Sequence, residues 1–346
     1  RQPWWNSVGR EARMLREAAG IIDISNFAKY RVQGPGAEDW LNAVFANRMP
    51  REPGRSCLTP LIGKRGGIAG DFTVTRLSED EFWVVGSGMA ERFHHRYFQQ
   101  VPLPEETVFA SITNAICGFN VAGPRSRELL SRLTNADLSN AAFPFFRSMR
   151  ITVAGVACVA IRVSFTGDLG WELHCAEGDQ IALYQALLDA GRDMSAGPVG
   201  GRALMSLRVE KGYGSWGRDY SPEYWPQECG LDGLIRRDKD FLNKDAWLAI
   251  KDTPPREHMV MLEIDATTAD ATGGEPIFLP DGTPIGQVSS GAYGYSVGAS
   301  LAIAYLKAGA VKPGQPVTVA ILGQDHSARV LAAPPFDPEG SRLRGV

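Results

Sequence analysis

The sequence predicts an α+β protein of two or three domains, and three observations support that prediction. At 346 residues, the chain is longer than one ordinary hydrophobic core accommodates. A pattern of strand, Gly-Pro and helix occurs twice, at residues 30–47 and 119–135. After residue 256, short strands alternate with turns, a spacing typical of a separate antiparallel barrel or jelly roll.

Composition narrows the classes of partner. Hydrophobic residues make up 44% of the chain and charged residues 22%, which is ordinary for a globular protein. The net charge of -3 gives no electrostatic reason to expect nucleic acid or an anionic membrane as a partner. No apolar run is long enough to cross a bilayer, and residues 1–10 do not resemble a signal peptide. We therefore expect a cytoplasmic protein.

Cysteine and histidine usage gives no sign of a metal site. The five cysteines are odd in number and scattered, and they form no CxxC pair. That usage favours a reducing compartment and free thiols over a disulfide framework or a zinc site. His94 and His95 are adjacent, so they cannot share a helical face as a zinc-binding HExxH pair does. We expect no metal.

Apolar periodicity and turn residues predict the elements before the second copy of the repeat. A helix that begins after a Gly-Pro pair would bury Trp40, Leu41 and Val44 on one face. The other predicted elements are a helix at 11–19, strands at 21–25 and 29–34, a hairpin at 64–88, and a helix at 90–100.

The hairpin at 64–88 is the stretch around which the rest of the chain is organised. Its apolar residues, such as Phe72 and Val84, alternate with polar ones at the period of two that a half-buried strand requires. Asp71 stands where a glycine-rich turn meets an apolar strand, so its carboxylate can be partly desolvated and tuned for proton transfer. The alternative is that Asp71 caps a turn, as most Asp residues beside glycines do.

A β-rich unit with glycine turns and a carboxylate near a turn follows each copy of the repeat. The unit spans residues 66–85 in the first copy and 153–173 in the second, where a helix at 179–190 comes next. The pattern indicates an ancient duplication, which would place two related hairpins around a pseudo-symmetric centre.

Four segments could converge on one pocket. They are the turn that carries Asp71, the turn at 164–173, a glycine-closed helix at 203–212, and the aromatic segment at 213–233. Within the helix, Arg208 and Glu210 lie two residues apart, so they face apart and are not an internal ion pair.

Glu172 is the second carboxylate of interest. It lies between Trp171 and Leu173, and a carboxylate in such surroundings can accept paired hydrogen bonds from the amino-pyrimidine edge of a flat heterocycle. Ordinary core packing of these aromatic residues is the alternative. The chain contains no GxxxxGK[ST] motif, so a triphosphate site lacks support.

Seven consecutive motifs, spread over essentially the whole chain, resemble the glycine-cleavage T-protein (aminomethyltransferase) family. The segments at 206–219 and 290–300 look most like the folate-binding carboxy-terminal half of dimethylglycine and sarcosine dehydrogenases and oxidases. The motifs are GIIDISNFAKYRVQGPGAEDWL, GGIAGDFTV, VAGPRSRELL, SFTGDLGWEL, SLRVEKGYGSWGRD, PQECGLDG and SGAYGYSVGASLA.

The resemblance implies a three-domain cloverleaf with tetrahydrofolate in a central channel. The boundaries we predict are 1–47 with 116–236 for a folate-binding domain 1, 48–115 with 237–255 for domain 2 with the Asp71 hairpin, and 256–346 for a carboxy-terminal β-barrel.

The resemblance also implies roles for individual residues. The GGxxDD motif of the family falls on residues 66–71, so Asp71 matches the catalytic aspartate, and Gly70 replaces the first Asp. The motif YTGEDGxE falls on residues 165–172, so Glu172 matches the pterin-binding glutamate.

Other positions of the implied site depart from the family pattern. Phe165 and Trp83 stand where the family has tyrosines, and Ser87 stands where it has a polar Asn. The predicted cofactor-binding residues from the helix and the aromatic segment are Arg208, Tyr213 and Trp216.

Leu204 aligns with an arginine that T-proteins carry, which argues against a lipoyl-carrier partner. The implied function is therefore tetrahydrofolate-dependent transfer of a methyl or aminomethyl unit from a small methylated amine or onium donor. The alternative is a non-catalytic folate-binding module of a flavin-dependent oxidase, which would then be its partner. The assembly-factor branch of this fold carries KGCYxGQE, whereas residues 210–219 have no cysteine, so that interpretation is weak.

Overall fold

Two mainly antiparallel sheets and a closed barrel form the fold, which a computed structural model describes for residues 2–345. The first elements are α1 Trp5–Glu17, β1 Gly20–Asp23, β2 Ala28–Gln33, α2 Ala37–Val44, β3 Ser56–Ile62, β4 Ile68–Arg76, β5 Glu81–Gly86, α3 Glu91–Phe98, β6 Val108–Ser111, β7 Ile116–Ala122 and α4 Ser126–Ser131. Then come β8 Ser148–Val153, β9 Val156–Ile161, β10 Gly170–Ala176, α5 Gln180–Gly191, β11 Gly197–Pro198, α6 Gly201–Glu210, α7 Pro226–Cys229 and α8 Lys244–Leu248. The last are β12 Glu257–Ile264, β13 Pro276–Phe278, β14 Pro284–Gly294, β15 Ala299–Lys307, β16 Pro316–Ile321, β17 Gln324–Val330 and α9 Ser341–Arg344.

The two sheets repeat one strand order. The first sheet runs β11-β1-β7-β10-β9-β8, and the second runs β3-β4-β5-β2-β6. With β3, β4, β5 and β2 matched to β8, β9, β10 and β7, each pair of neighbours has its counterpart, and every matched pair is antiparallel. Helices α2 and α4 follow the matched strands β2 and β7. The predicted duplication is therefore confirmed.

The Gly-Pro turn of each copy has the same backbone. Gly34 has φ 131° and Gly123 has φ 128°, a region that residues with a side chain rarely adopt. In both copies this glycine ends the central strand and directs the chain into the following helix. The repeated glycine is thus required by local geometry.

The two copies exchange their first strands. Strand β1 pairs with β7 of the second copy, and β6 pairs with β2 of the first. The chain consequently leaves the first sheet after β1, and β2 with α2 packs in the second sheet. The predicted boundaries place all of residues 1–47 in domain 1, whereas β2 pairs with β5 and α2 packs on the second sheet. Sequence order alone does not reveal such a strand exchange.

The hairpin of β4 and β5 is confirmed by pairing of Thr73 with Val85 and of Thr75 with Trp83. The predicted half-buried alternation is not observed, since most residues of both strands are buried. One face packs Phe72 and Phe82 into the core beneath α2 and α3. The other face is covered because it lies opposite the first sheet.

The carboxy-terminal strands form a closed barrel in the order β12-β15-β14-β13-β16-β17. Antiparallel pairing of β12 with β17 closes it, which decides between the barrel and the jelly roll. Helix α6 connects the barrel to the first sheet, where Ser206 Oγ donates to the carbonyl oxygen of Tyr293 at 2.6 Å. Among residues 2–345, no helix is long and apolar enough to cross a membrane.

Candidate functional site

The site lies between the inner faces of the two sheets. On β10, Trp171 and Leu173 point into the outer core, so Glu172 and His174 lie on the inner face. On β5, Trp83 points inward, where it packs with Val159 and Ile161 of the first sheet. The ring centroids of Trp83 and His174 are 6.0 Å apart, which shows that the faces meet.

Asp71 lies on β4 of the second sheet, one residue before the core residue Phe72. It is half-buried, and burial of its carboxyl raises its pKa to about 6, with the negative charge of Asp219 adding to the effect. A carboxyl group with that pKa exchanges protons near neutral pH. The local sequence permits this placement because Gly70 and Gly86 leave room for Phe72, whose ring would collide with a Cβ at either position.

Asp219 is a carboxylate that sequence analysis did not single out. It is fully buried, and it accepts hydrogen bonds from Arg208 at 2.5 Å, from the Ser215 amide at 2.9 Å and from Ser289 Oγ at 2.6 Å. Its carbonyl oxygen accepts from the hydroxyl of Tyr305 at 2.6 Å. The barrel, α6 and the aromatic segment are therefore joined at the residue whose charge acts on Asp71.

Arg208 is held by this cluster. Its side chain is 1% exposed and its guanidinium donates to Asp219 and to the carbonyl oxygen of Tyr213, at 3.0 Å for the latter. Glu210, two residues on, binds Arg16 instead, which confirms that Arg208 and Glu210 face apart. Arg208 thus lies beside the Asp71 region but is committed to a protein partner.

Glu172 has a partner on its own strand. His174 Nε2 donates to Glu172 Oε2 at 3.2 Å, and the two side chains are 0% and 13% exposed. Residues two apart on a strand share a face, so this pair follows from the alternation of β10. Directly opposite Glu172 on β7 lies Asn120, which is 4% exposed.

Lys29 adds a buried positive charge near Glu172. Burial lowers the pKa of Lys29, and the charge of Glu172 opposes that shift. The ammonium group donates to the carbonyl oxygens of Ser25 at 2.9 Å and Phe27 at 3.0 Å. Lys29 therefore fixes the crossing between β1 and β2.

The remaining residues that were predicted to bind a cofactor lie in separate regions of the fold. The rings of Phe165 and Tyr213 are stacked with centroids 6.3 Å apart. The ring centroids of Trp216 and His94 are 4.9 Å apart, in a partly buried aromatic group that also contains Phe93. Ser87 follows β5, on the same alternating face as Trp83 and Val85.

A groove of about 360 Å³ opens where the sheets meet, and its lining includes Trp83, His174 and Arg150. Arg150 pairs with Glu81 at 2.7 Å, and Glu81 also accepts from the Trp83 indole at 3.3 Å. A larger groove of about 630 Å³ lies at one end of the barrel and includes none of the predicted site residues.

A buried ion network holds the turn before β10. Arg16 of α1 pairs with Asp168 of the turn and with Glu210 of α6, and Asp168 also accepts from Arg342 at 2.7 Å. The Arg16 guanidinium lies 3.5 Å from the ring centroid of Phe336. The position of Glu172, four residues after Asp168, thus depends on segments from both ends of the chain.

Sequence analysis identified Asp71 and Glu172 but missed Asp219, His174 and Asn120. His174 could have been found, because it lies two residues after Glu172, a spacing that places both side chains on one face of a strand. Asp219 and Asn120 reach the site through long-range pairing and give no local signal. Among the described residues, no group of His, Cys, Asp or Glu has the arrangement of a metal site.

Family models match both parts of the chain. The model described as the GCVT N-terminal domain matches residues 1–239, and that of the glycine cleavage T-protein C-terminal barrel domain matches residues 258–337. The two duplicated sheets and the barrel therefore belong to the class of protein that these T-protein domain models describe.

Two curated proteins and one solved structure are also similar to this chain. Dimethylglycine dehydrogenase of Mus musculus is 31% identical over 99% of this chain and 40% of its own length. The 4-methylaminobutanoate oxidase (formaldehyde-forming) of Paenarthrobacter nicotinovorans is 33% identical over 100% of this chain and 42% of its own length. The crystal structure of aminomethyltransferase T from Bartonella henselae has the same fold, with a TM-score of 0.86 at 24% identity over 96% of this chain and 90% of that one.

The chain belongs to the glycine cleavage T-protein family, as the resemblance in sequence motifs implied. It spans about 40% of the length of dimethylglycine dehydrogenase and of 4-methylaminobutanoate oxidase. The predicted α+β fold with a carboxy-terminal barrel is confirmed.

Proposed function

We propose that the chain binds tetrahydrofolate between its two sheets and transfers a one-carbon unit from an N-methylated amine to N5 of that molecule. Membership of the aminomethyltransferase class supports folate-dependent transfer. Two relatives are named for N-methylated amino acids, which supports the class of donor. The observation that carries the proposal is Asp71, a half-buried carboxyl at the catalytic position of the family motif whose pKa is raised to about 6.

The inner face offers the contacts that a pterin requires. Among the residues that the structure describes, the Glu172 carboxylate accepts a hydrogen bond from His174 alone. Because the carboxylate has about four acceptor sites, it can still accept from the two neighbouring donors of an amino-pyrimidine edge. The indole of Trp83 and the pair of Phe165 and Tyr213 provide flat apolar surfaces nearby in the fold.

The proposed chemistry assigns Asp71 a role at N5 of tetrahydrofolate. Tetrahydrofolate would supply N5, a weak nucleophile that takes up an activated one-carbon unit. Asp71, when ionised, can receive the proton released there or stabilise a cationic donor. A position between two sheets keeps bulk water from such a donor and orients the two reactants.

The other predicted residues serve as supports in this proposal. Arg208 acts through Asp219, since its guanidinium is already bound to that carboxylate. Trp216, Tyr213 and Ser87 would form walls of the ligand site.

The donor is proposed to be a small methylated amine or onium compound that a flavin-dependent oxidase domain or subunit activates. A second candidate is a folate-binding module without turnover of its own. The share of about 40% that this chain covers in its relatives favours that candidate, because the remainder of those proteins could hold the catalytic chemistry.

One experiment tests the proposal. The purified chain is titrated anaerobically with tetrahydrofolate by calorimetry. Donors are then screened by the mass of the folate product, the onium compounds with the chain alone and the methylated amines with a flavin-dependent oxidase and its electron acceptor, which oxidise the N-methyl group to the iminium. We expect stoichiometric binding, a higher melting temperature with ligand, and a one-carbon adduct with at least one donor. Absence of binding at ligand concentrations well above micromolar would refute the function. Binding without an adduct from any donor would favour the module.

A further inference from the structure

A buried amide on the inner face has no partner. Asn120 is 4% exposed, and its Nδ2 makes no hydrogen bond to any described residue. A buried donor without a partner costs about 1–3 kcal/mol, so native proteins rarely keep one without a reason.

The position of Asn120 is well defined by pairing. It is directly opposite Glu172 on one side and opposite Ile22 on the other. Its chain neighbours Phe119 and Val121 belong to the outer core, so the Asn120 side chain shares the inner face with Glu172.

The surroundings of Asn120 explain why the amide stays unpaired. Along the same face of β7 its neighbours are Gly118 and Ala122, which carry no polar side chain. The Gly118 position is covered by His174, whose Nδ1 would lie 2.9 Å from a Cβ there. His174 in turn is bound to Glu172. The face therefore combines an accepting carboxylate with an adjacent buried amide whose Nδ2 has no partner.

We propose that Asn120 is a further ligand-binding residue, which recognises the hydrogen-bond acceptor next to the two donors that Glu172 binds. This proposal rests on the proposed function. In a 4-oxo pterin, the ring donors N3–H and 2-NH₂ are flanked by the 4-oxo oxygen, a pattern complementary to Glu172 and Asn120 together. A 4-amino analogue presents a donor in place of that oxygen. Asn120 would thus select 4-oxo over 4-amino pterins.

The test compares tetrahydrofolate with its 4-amino analogue by calorimetry, for the parent chain, Asn120→Leu and the neighbouring control Ile22→Val. For Asn120→Leu we expect tetrahydrofolate affinity to fall about tenfold while affinity for the 4-amino analogue changes by less than threefold. Ile22→Val should leave both affinities within twofold of the parent. The melting temperature of Asn120→Leu without ligand should equal or exceed that of the parent, because a buried unpaired donor is removed.

Each outcome is decisive. If the parent does not bind tetrahydrofolate, the proposed function fails before Asn120 is tested. If the parent binds, but Asn120→Leu binds both ligands as the parent does, the role of Asn120 is refuted. Equal weakening of both ligands together with a lower melting temperature would also refute it, since that result marks a purely structural amide.

Discussion

Asp71 combines a predicted position with an environment that only the fold supplies. The glycine turn before β4 pointed to a desolvated carboxyl, and burial does raise its pKa to about 6. The second contribution comes from Asp219, which is 148 positions further along the chain. No local pattern announces that proximity, because it depends on how the aromatic segment packs between α6 and the barrel.

The raised pKa of Asp71 predicts a pH-dependent stability. A carboxyl whose pKa is higher in the native state than in the unfolded chain stabilises the fold below about pH 4, and that contribution is lost as pH rises through about 6. Asp71→Asn avoids the buried charge. At pH 7.5 the free energy of unfolding of this variant should exceed that of the parent by at most about 3 kcal/mol. The difference should vanish near pH 4. A variant less stable than the parent at pH 7.5 would contradict the stated cause of the shift.

His174 is expected to orient Glu172. His174→Leu removes the 3.2 Å hydrogen bond and should weaken tetrahydrofolate binding about fivefold, whereas His174→Gln keeps a donor and should restore most of the affinity. In a Glu172→Gln background, which itself should cost about 1–3 kcal/mol of binding, His174→Leu should add little. Calorimetric titration of the four variants measures this coupling. Additive losses would show that His174 acts independently of Glu172.

At the scale of elements, the duplication was predictable and the strand exchange was not. The repeated Gly-Pro motif predicted matching units, and the sheets share one strand order. Strand β1 pairs with β7, and β6 pairs with β2. Because β2 and β7 have similar sequences, the sequence does not indicate which of the two each edge strand joins. A side-chain hydroxyl accepts a backbone amide hydrogen bond at both exchanged strands. Ser25 Oγ, after β1, accepts from the amide of Gly118, and Thr113 Oγ1, after β6, accepts from the amide of Lys29.

The matched glycines allow a direct test of the duplicated turn. A Cβ at Gly34 would collide with the carbonyl oxygen of Glu106, and one at Gly123 would collide with that of Leu15. Alanine at either position should therefore lower the free energy of unfolding by at least about 2 kcal/mol. Gly201→Ala is the control, since nothing lies within 4 Å of a Cβ there and its φ is not positive. Denaturant unfolding measures all three, and a neutral Gly34→Ala or Gly123→Ala would disprove the requirement for glycine.

At the scale of the molecule, buried charges join the turn before β10, α6 and the barrel. Arg16 connects α1 to the turn before β10 and to α6, while Asp219 connects α6 to the barrel. The spacing of Arg208 and Glu210 predicted that their side chains point in different directions. Arg208 binds Asp219 and Glu210 binds Arg16. Spacing could not identify these partners, because both lie on other segments of the chain.

The Arg16 network predicts a large loss of stability from one substitution. Arg16→Met leaves the carboxylates of Asp168 and Glu210, 1% and 0% exposed, without their shared cation. We expect a loss of about 3–5 kcal/mol in the free energy of unfolding by denaturant. Arg192→Met is the control, because Arg192 pairs with Asp189 on the surface and should change stability by less than about 0.5 kcal/mol. Equal stability of the two variants would mean that the network does not hold the units together.

The central claim is that Asp71 acts in one-carbon transfer rather than in folding or folate binding. The most direct measurement is turnover of the best donor with tetrahydrofolate, alongside folate affinity, for the parent, Asp71→Asn and the control Asp80→Asn at the exposed tip of the same hairpin. We expect Asp71→Asn to bind folate within about threefold of the parent and to lose roughly 10²-fold or more in turnover, while Asp80→Asn keeps both. Turnover of Asp71→Asn within a few-fold of the parent would contradict the account.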